Sequence, residues 1–274
     1  MRTQARLLTT DIFGSVIAVS HVQQVSPPSP FPALGRTYSR ELRVRLGDVT
    51  PKGRLRLDAT ARYLQDIATD DALNGNYDDP HSWVVRRTEM WVHHFPKYLD
   101  DLVLTTWCGG VGSHWAERRT RIVVANEPEA PPAIEAAALW VRVDLQTLKP
   151  LPLSDQFREL IGESAAGRKV SARLMVGRNL PPNAQLAPRV NMPLRFSDFD
   201  AIGHLNNAVY WEPLEEYLGG HRERRAPLHA TVEHHRSVEP GASLTISTYE
   251  MDDRVVLHLR EGDETASLIQ VVSE

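Results

Sequence analysis

A single cysteine, Cys108, is all the thiol chemistry this chain of 274 residues carries. One cysteine excludes an intramolecular disulfide and fits a reducing compartment, so a cytoplasmic location is expected. No apolar run approaches the roughly 20 residues of a membrane-spanning helix, so no span is expected. The formal net charge of −4 gives neither the basic excess of a nucleic-acid binder nor a broad membrane-binding face. Metal ligation is unattractive even where histidines cluster. His93-His94 and His234-His235 are adjacent pairs on strand-like runs, where neighbouring side chains point to opposite faces. They read as surface or interface histidines, and no metal or other cofactor is expected. What is left is an ordinary globular composition, 42% hydrophobic and 24% charged. The chain is long enough for one large domain or two small ones.

Residues 195–218 carry the most chemistry. Asp200 stands three residues before Gly203 and four before His204, and Asn206, Asn207 and an amphipathic run follow. This order predicts a carboxylate at the end of a turn, a glycine permitting close backbone approach, and then a helix start. Free N–H groups at that start, beside a carboxylate, suit hydrolysis of a carbonyl compound.

The same stretch has a counterpart earlier in the chain. Arg45 matches Arg195, Asp48 matches Asp198, Gly53 matches Gly203 and Leu55 matches Leu205, all at one fixed offset. Thr50 and Arg54 stand where the later copy has Asp200 and His204. An internal duplication in which only the second copy kept the acid accounts for this.

The order of elements agrees with a duplication. Residues 1–36, with Ser26-Pro27-Pro28-Ser29-Pro30, read as a flexible tail rather than a cleaved signal. Leu42, Val44 and Leu46 alternate with charged residues, which predicts a strand. A helix capped by Asp58 follows, with Leu57, Ala61, Leu64, Ala68 and Ala72 as one buried stripe and Asn74-Gly75-Asn76 as its end. Strands are expected over 82–94, 102–107, 114–126 and 134–144. The Pro-rich stretch 145–192 reads as a linker, with one helix over Ser154–Gly162 capped by Ser154. The second unit repeats the order. Its helix runs to about Leu218 with Trp211, Leu214 and Leu218 buried and Pro213 shortening or kinking it, and strands follow over 230–238, 244–251, 255–260 and 265–272. The order of a strand, a long helix and about four strands, given twice, resembles a tandem (double) hotdog. In this α+β class, antiparallel sheets each wrap a long helix. The units are 37–144 and 193–274, with 145–192 between them.

Several pieces carry a more specific resemblance across about residues 38–272. They are Trp83-Val84-Val85-Arg86-Arg87 followed by Phe95-Pro96, then Thr105-Thr106-Trp107, then Leu139-Trp140-Val141-Arg142-Val143-Asp144 leading to Thr147 and Lys149-Pro150, and finally Asp198–Tyr210. In this order and spacing they resemble the acyl-acyl carrier protein thioesterases. The resemblance implies hydrolysis of a fatty acyl thioester in fatty acid biosynthesis, with acyl carrier protein as partner. It also implies that the first unit holds the acyl chain and the second supplies the chemistry. Plant members have Asp-x-Asn-x-His in the turn and a Glu-Cys pair on the next strand. Asp200 and His204 match the first motif, but Ile202 replaces its Asn. With Glu233 aligned to the Glu that begins that strand, Ser237 and Val238 replace the pair. The local turn instead resembles the Asp-x-x-Gly-His-x-Asn-Asn of single-hotdog acyl-CoA thioesterases.

The candidate catalytic residues are therefore Asp200, His204 and Gly203. Asp200 either activates a water or attacks the carbonyl directly. N–H groups at Gly203–His204 would polarise the carbonyl, and His204 could orient the acid or protonate the thiolate. Asn206 and Asn207 either supply the polar role lost at Ile202 or cap the helix. Trp83 and Trp107 are candidates to line an acyl tunnel, and Cys108 reads as a packing residue. Arg222, Arg224 and Arg225 form either a solvated loop or a dock for an acidic carrier. An acyl-CoA thioesterase and a non-catalytic acyl-binding protein are the alternatives. A further pairing into a homodimer is open.

Overall fold

The computed structural model describes residues 30–77, 82–126, 131–144, 146–147, 149–176 and 185–273. Most of the expected tail, together with Pro181 and Pro182, lies outside the described residues.

The first strand, β1, spans Thr37–Arg43. The alternation in the sequence carries past it, but the strand does not: Val44 is fully buried while Leu46 is 71% exposed. A 3-10 turn at Leu46–Asp48 has swung Leu46 out of the alternation. Helix α1 then runs Leu57–Asn74 and ends at Gly75. Its buried face is wider than one stripe, adding Tyr63, Ile67 and Asp71 to Leu57, Ala61, Leu64 and Ala68, while Ala72 is only half-buried. Asp58 is not its cap, contrary to expectation. The helix opens two residues earlier than that cap would allow, at Leu57, whose N–H donates to Glu215 Oε2 of the second unit at 3.1 Å. The Asp58 carboxylate is engaged instead by Arg56 and Arg62.

Strands β2 (Trp83–Val92), β3 (Asp101–Val111), β4 (Trp115–Val124) and β5 (Ile134–Arg142) complete the first unit's sheet. Helix α2 spans Asp155–Ala165, three residues longer than expected, and Ser154 Oγ accepts the Phe157 N–H at 3.2 Å as its cap. Phe157 and Ile161 pack on Ala116, Tyr77 and Trp83, so the helix lies against the first unit. Two short strands, β6 (Gln185–Leu186) and β7 (Val190–Met192), precede the second turn.

In the second unit, 3-10 turns at Phe196–Asp198 and Val209–Trp211 lead into α3, Glu212–Gly220. The expected helix start at Gly203–His204 is thus displaced to residue 209 and beyond. Asn206 Oδ1 takes the Ala208 N–H at 2.9 Å and holds the chain in a turn there. Pro213 causes no kink, since it falls in the first turn of α3, where its missing N–H has no partner to lose. Strands β8 (Leu228–His234), β9 (Leu244–Glu250), β10 (Arg254–Glu261) and β11 (Glu264–Ser273) follow.

All these strands form one antiparallel sheet, in the order β1-β3-β4-β5-β2-β8-β11-β10-β9-β6 with β7 also on β9. The units join through β2 and β8, Arg87 opposite Glu233 and Val92 opposite Leu228. A single core runs beneath both, taking Leu57, Leu64 and Ile67 from α1, and Tyr210, Trp211 and Leu214 from the second unit. Each such side chain contributes about 2 kcal/mol by leaving water. The two-unit hotdog architecture of the sequence is therefore present, with its two sheets fused edge to edge.

Candidate active site

The two turns are copies, hydrogen bond for hydrogen bond. Thr50 N–H donates to Arg54 O at 2.8 Å, and Asp200 N–H donates to His204 O at 3.0 Å. Gly53 N–H meets Thr50 O at 2.8 Å, and Gly203 N–H meets Asp200 O at 3.0 Å. Arg56 and Asn206 each donate to the carbonyl of the matching Asp48 or Asp198 at 2.9 Å. Gly53 and Gly203 take φ of +80° and +87°, a conformation that only glycine adopts without strain. The duplication read from four matching residues is a duplication of backbone geometry.

Within this shared frame the copies differ in chemistry. Asp200 is half-buried, and its Oδ1 accepts the Ile202 N–H at 3.0 Å, leaving Oδ2 without a partner among the described residues. The Gly203 N–H is spent inside the turn, so it is not a free donor. The N–H groups of His204 and Asn207 have no partner among the described residues. In the first copy the position matching Asn207 is Leu57, whose N–H is taken by Glu215. Arg54, matching His204, lies 2.6 Å from Glu215 Oε1 and stacks over Phe95 at 4.3 Å. The first copy is closed by a carboxylate and the second is open.

The residues replacing the plant motif lie at the same place. Ile202 is 61% exposed at the tip of the turn. Leu205 N–H donates to Val238 O at 2.8 Å, which brings the turn beside exposed Ser237. Tyr210, fully inside the core, feels the charge of Asp200, although burial is the larger cause of its raised pKa. The tyrosine packs edge-on against His234, with ring centroids 4.7 Å apart. His234 is no surface histidine, contrary to expectation: it is buried, and desolvation pushes its pKa down to about 3. His93 does lie at the surface, against Glu135 at 3.1 Å.

Both tryptophans singled out in the sequence line one largely apolar cavity of about 100 Å³ beneath α1, with Tyr77, Trp140 and Phe157. A second, smaller cavity lies between Asn207 and Trp211 on one side and Gln65, Thr88 and Ala136 on the other. Arg118 and Trp140 line both, so a row of spaces leads from Asn207 of the second unit into the first. Between the two cavities, Arg118 is held by Asp71 at 2.7 Å, and Asp71 also binds Arg36 and Tyr77. Cys108 borders the larger cavity, and burial pushes its thiol up to about 11, which keeps it unreactive.

Arg222 and Arg225 are exposed, whereas Arg224 is tied to Met251 O at 2.9 Å and Ser273 Oγ at 3.2 Å. The three line a wide cleft facing Thr50 and Arg54, at the first unit's turn. Among the described residues no group of side chains is arranged to hold a metal ion, and no helix is long and apolar enough to cross a membrane.

A tandem hotdog with one acidic turn, open amides beside it and an apolar space running on under the neighbouring helix belongs to the class of thioester hydrolases. The comparisons with known proteins narrow the class. The model of the acyl-ACP thioesterase N-terminal domain matches residues 35–161 and that of the C-terminal domain matches residues 184–270, so the chain belongs to the acyl-ACP thioesterase family. It is similar in structure to the 12:0-ACP thioesterase of Umbellularia californica, with TM-score 0.71, 18% identity, and coverage of 89% of this chain and 99% of that one. An acyl-ACP thioesterase of Bacteroides thetaiotaomicron gives TM-score 0.70 at 16% identity, covering 87% and 98%. At these identities the likeness establishes the double-hotdog fold. In sequence the chain is 27% identical over 235 residues to an uncharacterized protein of Mycobacterium tuberculosis, covering 85% of this chain and 90% of the relative. The family gives the activity: hydrolysis of fatty acyl-acyl carrier protein to free fatty acid and carrier.

Proposed function

We propose that Asp200 is the general base of this hydrolysis. One carboxylate oxygen is fixed by the Ile202 N–H, and the other is free to take a proton from a water attacking the thioester carbonyl. The carbonyl oxygen sits against the open N–H groups of His204 and Asn207. His204 hands a proton to the departing pantetheine thiolate. Gly203 keeps the turn in its positive-φ conformation, and Asn206 holds the bend that exposes the Asn207 amide. One observation carries this reading: of two turns with the same backbone, the copy that has the acid is the one whose amide at the Leu57/Asn207 position has no partner among the described residues.

The acyl chain runs from Asn207 past Arg118 into the cavity walled by Trp83 and Trp107, in the unit spanning 37–144, while the chemistry belongs to 193–274. Exposed Arg222 and Arg225 offer positive charge to an acidic carrier. The enzyme is cytoplasmic, where its one buried thiol stays reduced, and sedimentation at micromolar concentration would reveal whether two chains pair as a homodimer.

The test is free thiol release from carrier protein and CoA thioesters of several chain lengths, with Asp200→Asn beside the unmutated enzyme. A fall in kcat of about a thousandfold with the fold intact is expected. Turnover that survives moves the base off Asp200. Inhibition by free carrier protein, without inhibition by free CoA, is expected for a carrier-selective enzyme.

A further inference from the structure

The turn that carries Asp200 faces a helix of the other unit, and the first copy shows what that helix can bring to it. There α3 sends Glu215 onto the turn, where Oε2 accepts the Leu57 N–H and Oε1 pairs with Arg54. At the fixed offset relating the turns, Leu57 corresponds to Asn207, Arg54 to His204 and Glu215 to Gln65 on α1. The correspondence is spatial as well as numerical, because Gln65 and Asn207 line the same small cavity. Gln65 is half-buried, and the Asn207 N–H beside that cavity has no partner among the described residues. Where the closed copy places a carboxylate, the open copy places a carboxamide.

The exchange has a definite chemical meaning. A carboxylate can only accept hydrogen bonds, so it fills the amide and repels any oxygen gathering negative charge. A carboxamide of the same length carries two N–H donors and no charge. We propose that Gln65, from the first unit, is a catalytic residue of the second unit's site: its side-chain N–H joins the His204 and Asn207 N–H groups in hydrogen-bonding the thioester carbonyl oxygen and the oxyanion that forms on it. The site is then built across the junction of the two units, and the first copy, which already has Thr50 in place of the acid, also has its amide filled by a carboxylate from α3. This inference rests on the reading of Asp200 as the base.

The experiment compares Gln65→Met, Gln65→Glu and Asp200→Asn on the thioester that the unmutated enzyme turns over fastest. Methionine keeps length and helix propensity, so α1 should persist, as circular dichroism and thermal unfolding will check. Loss of one oxyanion donor predicts a fall in kcat of about a hundredfold in Gln65→Met, with KM changed by no more than a few fold. Gln65→Glu should lose at least as much, because it rebuilds the closure of the first copy. In the unmutated enzyme, the side-chain amide resonance of Gln65 should shift on binding an acyl-pantetheine ketone in which CH2 replaces the thioester sulfur. A kcat in Gln65→Met near that of the unmutated enzyme, or an unmoved amide resonance, overturns the inference. If Asp200→Asn is dead while Gln65→Met is active, only Gln65 is misassigned. If both are active, the reading of Asp200 has failed as well.

Discussion

His234 occupies a position that in the first unit belongs to an aliphatic side chain. His93 and His94 N–H both reach Ala133 O, and His235 and Arg236 N–H both reach Ala266 O, so Val92 is the counterpart of His234. Val92 is 1% exposed and His234 7%. Burial lowers the imidazole's pKa from 6.5 to about 3, so below pH 6.5 the unfolded chain binds the proton that the folded one refuses. Stability therefore falls as the pH drops from 6.5 toward 3. His234→Val restores the first unit's residue, and the expected outcome is a flatter dependence of urea midpoint on pH across that window. An unchanged slope would show that other groups govern acid unfolding. The turn that carries Asp200 was legible in the sequence as a copied backbone motif, because Arg45, Asp48, Gly53 and Leu55 recur at one offset. His234 was not, since a histidine at a strand position reads as polar surface until the packing is seen. Gln65 was hidden for another reason: it lies far from Asn207 along the chain, and only the joining of the units puts the two on one cavity.

Among the elements, the helix starts were the least legible. Asp58 has the right type and position for a cap, yet α1 begins at Leu57 because Glu215 reaches its first N–H from the other unit. A cap supplied through space leaves no local signal. Ser154, whose cap is local, was read correctly, as was the end of α1 at Gly75. The glutamate also pairs with Arg54 and is 7% exposed, so removing it strands both a helix N–H and a guanidinium. Glu215→Ala should destabilise the protein by about 3 kcal/mol, measured by denaturant unfolding. A loss below about 1 kcal/mol would place the ion pair among the weak, solvent-screened ones. The strands were legible from their alternation, within a few residues, and the Asp144–Thr147 piece explains itself. The Asp144 carboxylate accepts the Gln146 and Thr147 N–H groups at 3.0 and 2.7 Å, fixing the turn that follows β5.

At the scale of the whole molecule, the two units were legible and their fusion was not. No sequence pattern states that β2 pairs with β8, because both strands read alike whether their outer edges meet solvent or each other. That pairing removes two edges and leaves β1 and the β6–β7 side as the ends of the sheet. It also has a consequence for how the enzyme behaves at low abundance. A site assembled from two separate chains empties when its subunits drift apart, whereas the cross-unit site proposed above has both halves tethered by one backbone at fixed effective concentration. Specific activity should thus be indifferent to dilution, and a cell holding only a few copies would still have every one of them ready to work.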